Sequence, residues 1–237
     1  AIVISLVGSE MCIRDRDNDV KHNELSIGYD TAVDVATNAL DMLQPTAASH
    51  RRVMILEVMG RDAGHIALNA GIAGGADVIL IPEIQYSIKS IADHIEKLRS
   101  KGRNHALIVV AEAVKKENGK KATVKYVDGE VRLGGIGNYL GDEIYKITDS
   151  ETRVTVLGHV QRGAQPTHRD RLIASAFGVY AVDLIAKKKF NRVVVWKDRG
   201  VQDLMLSQVA GYSKTVQKND PLIKVAEGLG IYIGETN

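Results

Sequence analysis

The sequence is poor in cysteine, proline and aromatic residues, with one cysteine, four prolines and a 5% aromatic fraction among 237 residues. A single cysteine, Cys12, excludes an internal disulfide and a metal site built from several thiolates. No apolar run approaches the roughly 20 residues that cross a bilayer, and the first residues lack the pattern of a secretory leader. These absences favour a cytoplasmic location and give no reason to expect a membrane partner.

Net charge is also small, at +2, although 25% of the residues are charged. A nearly neutral chain gives no bulk electrostatic reason to bind nucleic acid. The hydrophobic fraction of 45% is typical of a globular protein and is sufficient for one substantial core or two small ones. Positive charge can therefore matter only where it is focused at a site.

Helical and strand patterns alternate from about residue 26 onward, which predicts an α/β fold with a parallel sheet. The polar, glycine-containing stretch 115–132 interrupts the alternation and is predicted to be a surface excursion or a small hairpin. Apolar runs predict buried strands at 53–58, 77–82, 105–113, 152–158 and 192–196, and the helical spacing is clearest at 88–98, 136–147 and 169–186.

Ligands of open α/β sheets gather at the carboxyl ends of the strands. Met59, Gly60 and Arg61 directly follow the strand 53–58. There glycine permits a close backbone approach, and free N–H groups of the next helix favour an anion. An ordinary strand-to-helix turn with a solvated arginine is the alternative, and it carries more weight on pattern alone.

Two further strands are followed by polar side chains. His159 and Arg162 come after the strand 152–158, and an imidazole with a guanidinium three residues away suits a phosphate dianion. Glu112 ends the strand 105–113 and could accept hydrogen bonds from sugar hydroxyls. A capping histidine, a surface arginine and a salt-bridged glutamate are the structural alternatives.

Asp17 and Asp19 place two carboxylates in one loop, where one could act as a general base and the other could hold Mg²⁺. A solvated turn is the alternative. Arg52 directly precedes its strand and Arg153 lies at the start of its own, so both lie at the opposite end of the sheet from the loops above. They are either solvated or part of a site in a neighbouring subunit. No G-x-G-x-x-G follows a predicted strand, which argues against a dehydrogenase.

Together, four strings resemble the 6-phosphofructokinase family in order and spacing: DNDV, SIGYDTAVDVA, LEVMGRDAGHIALNAGIAGGADVILIPE and TRVTVLGHVQRG. The resemblance covers about residues 17–237, and the end of the chain is most similar to the longer bacterial branch. It implies glycolytic phosphoryl transfer from ATP to the 1-hydroxyl of fructose 6-phosphate, giving fructose 1,6-bisphosphate. A pyrophosphate-dependent enzyme and a non-catalytic sugar-phosphate-binding subunit remain alternatives.

The family pattern also implies a role for each candidate residue. Asp17 would be the catalytic base, Asp19 would serve the Mg²⁺-bound donor, and Arg61 would lie near the transferred group. The residues expected to bind the sugar phosphate are Met59, Gly60, Arg61, Glu112, His159 and Arg162, joined by Arg52 and Arg153 from an adjacent subunit. The resemblance therefore implies a homo-oligomer with shared sugar sites.

The fold implied by the family has two Rossmann-like three-layer domains with parallel-type sheets, of which the donor-side domain is incomplete here. We expect residues 17–28 and 161–211 to be its remnant, and 29–160 with 212–237 to form the fructose 6-phosphate domain. Ile13 to Arg16 depart from the family's active-site threonine loop, so we interpret residues 1–16 as adapter-derived. We expect the chain alone to be inactive.

Overall fold

The computed structural model describes residues 2–3, 15–125, 131–211 and 213–235. The chain forms two compact units: Ala1–Ala32 with Arg162–Thr215 (unit 1), and Val33–Gln161 with Val216–Asn237 (unit 2). The assignment of residues 1–16 to an adapter and of the two halves to donor and sugar stays a prediction. Most of residues 1–14 lie outside the described residues.

The strands are β1 (Ile2–Val3), β2 (Val53–Val58), β3 (Val78–Leu80), β4 (Ala106–Ala111), β5 (Thr123–Lys125), β6 (Val131–Leu133), β7 (Thr152–Val156), β8 (Arg192–Lys197) and β9 (Gly200–Met205). The helices are α1 (Tyr29–His50), α2 (His65–Ala73), α3 (Ile88–Ser100), α4 (Ile136–Thr148), α5 (His168–Ala186), α6 (Leu206–Val209) and α7 (Pro221–Gly228). Short 3-10 helices span Asp15–Asp17 and Gly158–Arg162.

Unit 2 is built on a parallel four-stranded sheet in the order β3-β4-β2-β7. Every residue of β2 and β4 is buried, which is the pattern of central strands in a parallel sheet. Helix α2 packs on β3 and β4, and α4 packs on β2 and β7. The predicted α/β fold with a parallel sheet is confirmed, and it brings the loops that follow β2 and β4 to one edge.

Helix α3 shows how the sequence specifies the elements around this sheet. Ser87 caps its first turn by accepting a hydrogen bond from the N–H of Ser90 at 3.4 Å. Lys97 and Arg99 lie in its last turn, where cations interact favourably with the helix dipole. Its buried residues, Ile88, Ile91, Ala92 and Ile95, fall on one face at spacings of three and four.

Unit 1 contains the sheet β1-β8-β9, whose described strand pairs are antiparallel, unlike the second parallel-type sheet that we expected. Asp198 and Arg199 adopt φ of 50° and 62°, which are the values of a two-residue hairpin turn, so β9 must return alongside β8. Helix α5 packs Ile173, Phe177 and Leu184 against this sheet.

The first turn of α1 is fixed within unit 1 by a buried carboxylate. Asp170 accepts hydrogen bonds from the backbone N–H groups of Gly28, at 2.8 Å, and Thr31, at 2.9 Å. It also accepts one from the hydroxyl of Thr31. Thr167 in turn caps α5 and donates to Asp30 at 2.7 Å. The two helix starts therefore satisfy each other's polar groups.

In unit 2, β5 pairs antiparallel with β6, which agrees with the small hairpin predicted at 115–132. None of the helices in the described residues is long and apolar enough to cross a membrane.

Candidate functional site

The carboxyl ends of β2 and β4 bring Glu112 against the loop Met59–Arg61. Val58 pairs with Ala111, so the residues that follow each strand are neighbours. The Oε1 atom of Glu112 accepts hydrogen bonds from the N–H groups of Gly60, at 3.2 Å, and Arg61, at 3.0 Å. These two N–H groups of the loop are therefore satisfied by a long-range pairing, and anion binding by the N–H groups of the next helix stays a prediction.

Oε2 of Glu112 is the oxygen that remains available for a ligand. It accepts no hydrogen bond from the part of the chain that the structure describes. The side chain is half-buried rather than solvated. Glu112 can therefore brace the loop with one oxygen and receive a hydroxyl with the other.

The loop itself is tightly turned. The N–H of Ala63 donates to the carbonyl of Gly60 at 3.1 Å, and a Cβ at Gly60 would lie 2.8 Å from the Ala63 carbonyl oxygen. Arg61 follows with φ of 49°, a left-handed conformation that costs a non-glycine residue about 1 kcal/mol. The Arg61 side chain is exposed, so this strained backbone directs a guanidinium to the surface at the sheet edge.

Gln161 is a contact of this loop that sequence reasoning missed. Its Oε1 accepts a hydrogen bond from the N–H of Met59 at 3.0 Å, and its Nε2 donates to the Met59 carbonyl at 3.4 Å. The residue is only 2% exposed. The one sequence signal was its position between the candidates His159 and Arg162. His159, on the same 3-10 helix, is exposed.

Two further glutamates near the loop, one buried and one half-buried, were also missed. Glu57 accepts hydrogen bonds from the N–H groups of Gly135, at 2.9 Å, and Gly137, at 2.8 Å, and so caps α4. Desolvation by burial raises its pKa, while these two bonds act in the opposite direction. A glutamate inside the otherwise apolar run VMILEV was the signal that could have identified it.

Glu83 fixes the start of α2, which follows the loop. One of its oxygens, Oε1, accepts hydrogen bonds from the N–H groups of Gly64, at 2.9 Å, and Val216, at 2.8 Å. The pKa of this carboxyl is raised by desolvation, and the backbone bonds oppose that effect. The other oxygen, Oε2, is buried and has no hydrogen-bond partner in the described part of the chain.

Arg52 and Arg153 lie at the amino ends of β2 and β7, away from the loop. Both contact Glu151, with Arg52 Nε at 2.7 Å from Glu151 Oε2 and Arg153 paired with Oε1. A six-residue strand spans about 20 Å, so neither arginine reaches the Met59–Arg61 loop of its own unit. The structure brings these two arginines to each other but not to the other candidates of unit 2.

In unit 1 the acidic loop is ordered around Asp17, which is 1% exposed. A guanidinium nitrogen of Arg162 lies 3.9 Å from Asp17 Oδ1. Asp19 is half-buried, and its carbonyl accepts a hydrogen bond from the N–H of Lys214 at 2.5 Å. Asn18, between them, donates to the Glu24 carbonyl at 3.1 Å. The predicted base and one predicted phosphate ligand are therefore neighbours within this unit.

The family model for phosphofructokinase matches residues 12–185. The chain belongs to the phosphofructokinase family. It is 54% identical over 98% of its length to ATP-dependent 6-phosphofructokinase 1 of Nostoc sp. strain PCC 7120, and 52% identical to the protein of that name from Synechocystis sp. strain PCC 6803. It covers 64% and 63% of these two relatives, so it spans a little less than two thirds of their length.

Solved structures agree with this membership. Phosphofructokinase from Saccharomyces cerevisiae matches with a TM-score of 0.71 and 28% identity, over 91% of this chain and 27% of that one. The pyrophosphate-dependent phosphofructokinase from Nitrosospira multiformis matches with a TM-score of 0.75 over 94% of this chain and 59% of that one. Because the identity is 21%, this second likeness shows the fold alone.

Proposed function

We propose that the complete protein transfers a phosphoryl group from ATP to the 1-hydroxyl of fructose 6-phosphate, in the cytoplasm. The observation that carries this proposal is Glu112 braced against the Met59–Arg61 loop at the carboxyl edge of a parallel sheet, in a chain of the phosphofructokinase family. A carboxylate oxygen and an exposed guanidinium at the same edge of the sheet suit a ligand that carries both hydroxyls and phosphate. Fructose 6-phosphate is such a ligand.

On this proposal the residues of unit 2 bind the acceptor. Glu112 receives sugar hydroxyls through Oε2, and Met59 and Gly60 contact the sugar phosphate through the tight turn. Arg61 stabilises charge on the transferred group, and His159 donates to the 6-phosphate. Phosphoryl transfer depends mainly on positioning and on charge stabilisation, so converging donors of this kind are what the reaction needs.

Asp17 is proposed as the base that accepts the proton of the 1-hydroxyl, and Arg162 as a ligand of the 6-phosphate. Burial of Asp17 keeps water from competing for its oxygens, and the Arg162 guanidinium lies beside it. Arg52 and Arg153 are proposed to complete the phosphate site of an adjacent subunit. Their distance from the loop within one chain supports that role.

A divalent cation, Mg²⁺, is proposed to accompany the donor. Its preferred ligands are carboxylate and amide oxygens together with substrate phosphates. The loop offers the half-buried carboxylate of Asp19, and Asn18 Oδ1 is buried with no hydrogen-bond partner in the described ranges. Residues 15–125, 131–211 and 213–235 contain no group of three His, Cys, Asp or Glu that could hold a metal unaided. Asp19 would be one ligand of a cation that arrives bound to the donor. That cation would neutralise negative charge on the donor phosphates.

ATP is favoured as the donor because the relatives at 54% and 52% identity are named ATP-dependent, whereas the pyrophosphate-dependent neighbours are only 21% to 22% identical. The test is formation of fructose 1,6-bisphosphate by the complete protein with each donor at equal concentration. We expect turnover with MgATP at least about 100-fold above that with pyrophosphate. Preferential turnover with pyrophosphate would establish the alternative enzyme, and no product with either donor would leave a sugar-phosphate-binding subunit.

A further inference from the structure

The amide of Gln161 forms a two-point contact with one backbone residue, Met59. Its oxygen accepts from the Met59 N–H at 3.0 Å and its nitrogen donates to the Met59 carbonyl at 3.4 Å. A primary amide that meets both polar groups of one residue mimics a strand neighbour in a sheet. The contact joins positions 102 residues apart in the chain.

This contact begins where the backbone pairing of two strands ends. Strand β7 pairs with β2 up to Val156 and Glu57, and the N–H of Leu157 then donates to the Glu57 carbonyl at 3.1 Å. Beyond that point the chain turns into the 3-10 helix Gly158–Arg162 and leaves the sheet. The side chain of Gln161 thus takes the place of the next backbone hydrogen-bonded pair that would follow between β7 and β2.

Both segments joined by Gln161 carry residues proposed to bind the sugar phosphate. One is the Met59–Arg61 loop, and the other is the 3-10 helix that carries His159. Gln161 is 2% exposed and each of its polar atoms is hydrogen-bonded to Met59, so burial keeps it from direct contact with a ligand. Its effect on binding must act through the two segments.

We propose that Gln161 is a positioning residue of the sugar-phosphate site, which sets the register of the His159-bearing helix against the Met59–Arg61 loop. This inference rests on the proposed function. Met59, which Gln161 contacts directly, and His159, on its own helix, are both proposed to contact the non-reacting phosphate end of the sugar. Loss of alignment therefore weakens binding in the ground state and the transition state alike, which raises KM with little change in kcat.

The test uses Gln161→Glu in the complete protein. The substitution is nearly isosteric and keeps an acceptor for the Met59 N–H, but it sets a carboxylate oxygen against the Met59 carbonyl. We expect KM for fructose 6-phosphate to rise about 10-fold or more, with kcat within about 3-fold and KM for ATP unchanged. Gln165→Glu is the matched control, because this substitution adds the same charge at an exposed position four residues away.

Gln161→Met, which removes both hydrogen bonds without adding charge, is the second variant and should raise KM in the same direction. Thermal denaturation of each variant separates positioning from folding. Wild-type KM values in folded variants would overturn the inference, and so would failure of both variants to fold, which would assign Gln161 a structural role only. If the wild-type protein itself forms no fructose 1,6-bisphosphate, it is the proposed function that fails.

Discussion

Asp17 and Glu83 are two carboxylates that differ in burial and in the groups that face them. Asp17 is 1% exposed and has a guanidinium nitrogen of Arg162 at 3.9 Å from its Oδ1 atom, whereas Glu83 is half-buried and accepts backbone hydrogen bonds from Gly64 and Val216. Desolvation disfavours the ionised form of the Glu83 carboxyl group and so raises its pKa. Asp17→Asn therefore tests a catalytic role, and Glu83→Gln tests the effect of burial on stability.

Asp17→Asn removes the proposed proton acceptor while keeping the size of the side chain. We expect kcat of the complete protein to fall by at least about 100-fold, with KM for fructose 6-phosphate changed less than about 3-fold. Asp62→Asn is the control, because Asp62 is an exposed acid next to the Met59–Arg61 loop of unit 2 and is paired with Lys121. Turnover of the Asp17 variant within a few-fold of wild type would show that Asp17 is not the base.

Glu83→Gln tests the effect of burial on a carboxyl group. Because the folded-state pKa is raised from 4.5, Glu83 contributes most to the free energy of unfolding below pH 4.5 and loses that contribution as pH rises through the folded pKa. Glutamine keeps the Oε1 acceptor and does not ionise. The stability of the variant relative to wild type should therefore increase between pH 4.5 and 7. The check is urea denaturation across this range, and a constant difference would refute the raised pKa.

At the scale of the elements, close packing at particular glycines fixes where helices can lie. A Cβ at Gly64, which begins α2, would be 2.4 Å from the Cβ of Ile81 and 2.8 Å from Glu83 Oε2. A Cβ at Gly178, inside α5, would meet nothing within 4 Å. One glycine is thus required by packing and the other is not.

The substitution of alanine at these two positions should have opposite effects. Gly64→Ala should lower the free energy of unfolding by about 1–3 kcal/mol, because α2 must move away from the segment after β3. Gly178→Ala should raise it by about 0.5–1 kcal/mol, since alanine favours the helix and finds open space. Chemical denaturation of the two variants measures both signs. Equal changes in the free energy of unfolding for the two variants would show that α2 is not closely packed at Gly64.

The sheet of unit 2 could be predicted because its buried strands are recognisable in the sequence as continuous apolar runs. The run VMILEV coincides with β2, and the predicted helix 169–186 differs from α5 by one residue. The pairing of Glu112 with Gly60 could not be predicted, since no local pattern shows which acceptor meets an N–H 52 residues away. The β8–β9 hairpin was missed because its turn, Asp198–Arg199, lacks the glycine that usually marks such turns.

At the scale of the whole molecule, the two ends of the unit 2 sheet carry separate groups of candidates. Glu112 and the Met59–Arg61 loop lie at the carboxyl end, and Arg52 and Arg153 lie at the amino end. If all of them bind one sugar phosphate, the two groups must come from different subunits. This requirement makes a direct prediction about mixed oligomers.

Subunits that carry Asp17→Asn and subunits that carry Arg153→Ala should regain activity when they are combined in one oligomer. An oligomer that contains both variants has sites in which the intact Asp17 of one subunit meets the intact Arg153 of another. Co-refolding equal amounts of the two poorly active complete proteins should therefore yield about a quarter of wild-type turnover if sites form between pairs. Each variant refolded alone is the control. A mixture no more active than its components would show that the sugar sites are not shared.

The central claim concerns the acceptor, and the most direct measurement compares three sugars with MgATP and the complete protein by phosphorus NMR. Fructose 6-phosphate has both the 6-phosphate and the 1-hydroxyl, fructose lacks the phosphate, and fructose 1-phosphate has no free 1-hydroxyl. The account predicts fructose 1,6-bisphosphate from fructose 6-phosphate, with turnover of the other two at least about 1,000-fold lower. Comparable turnover of fructose, or of fructose 1-phosphate, would contradict it.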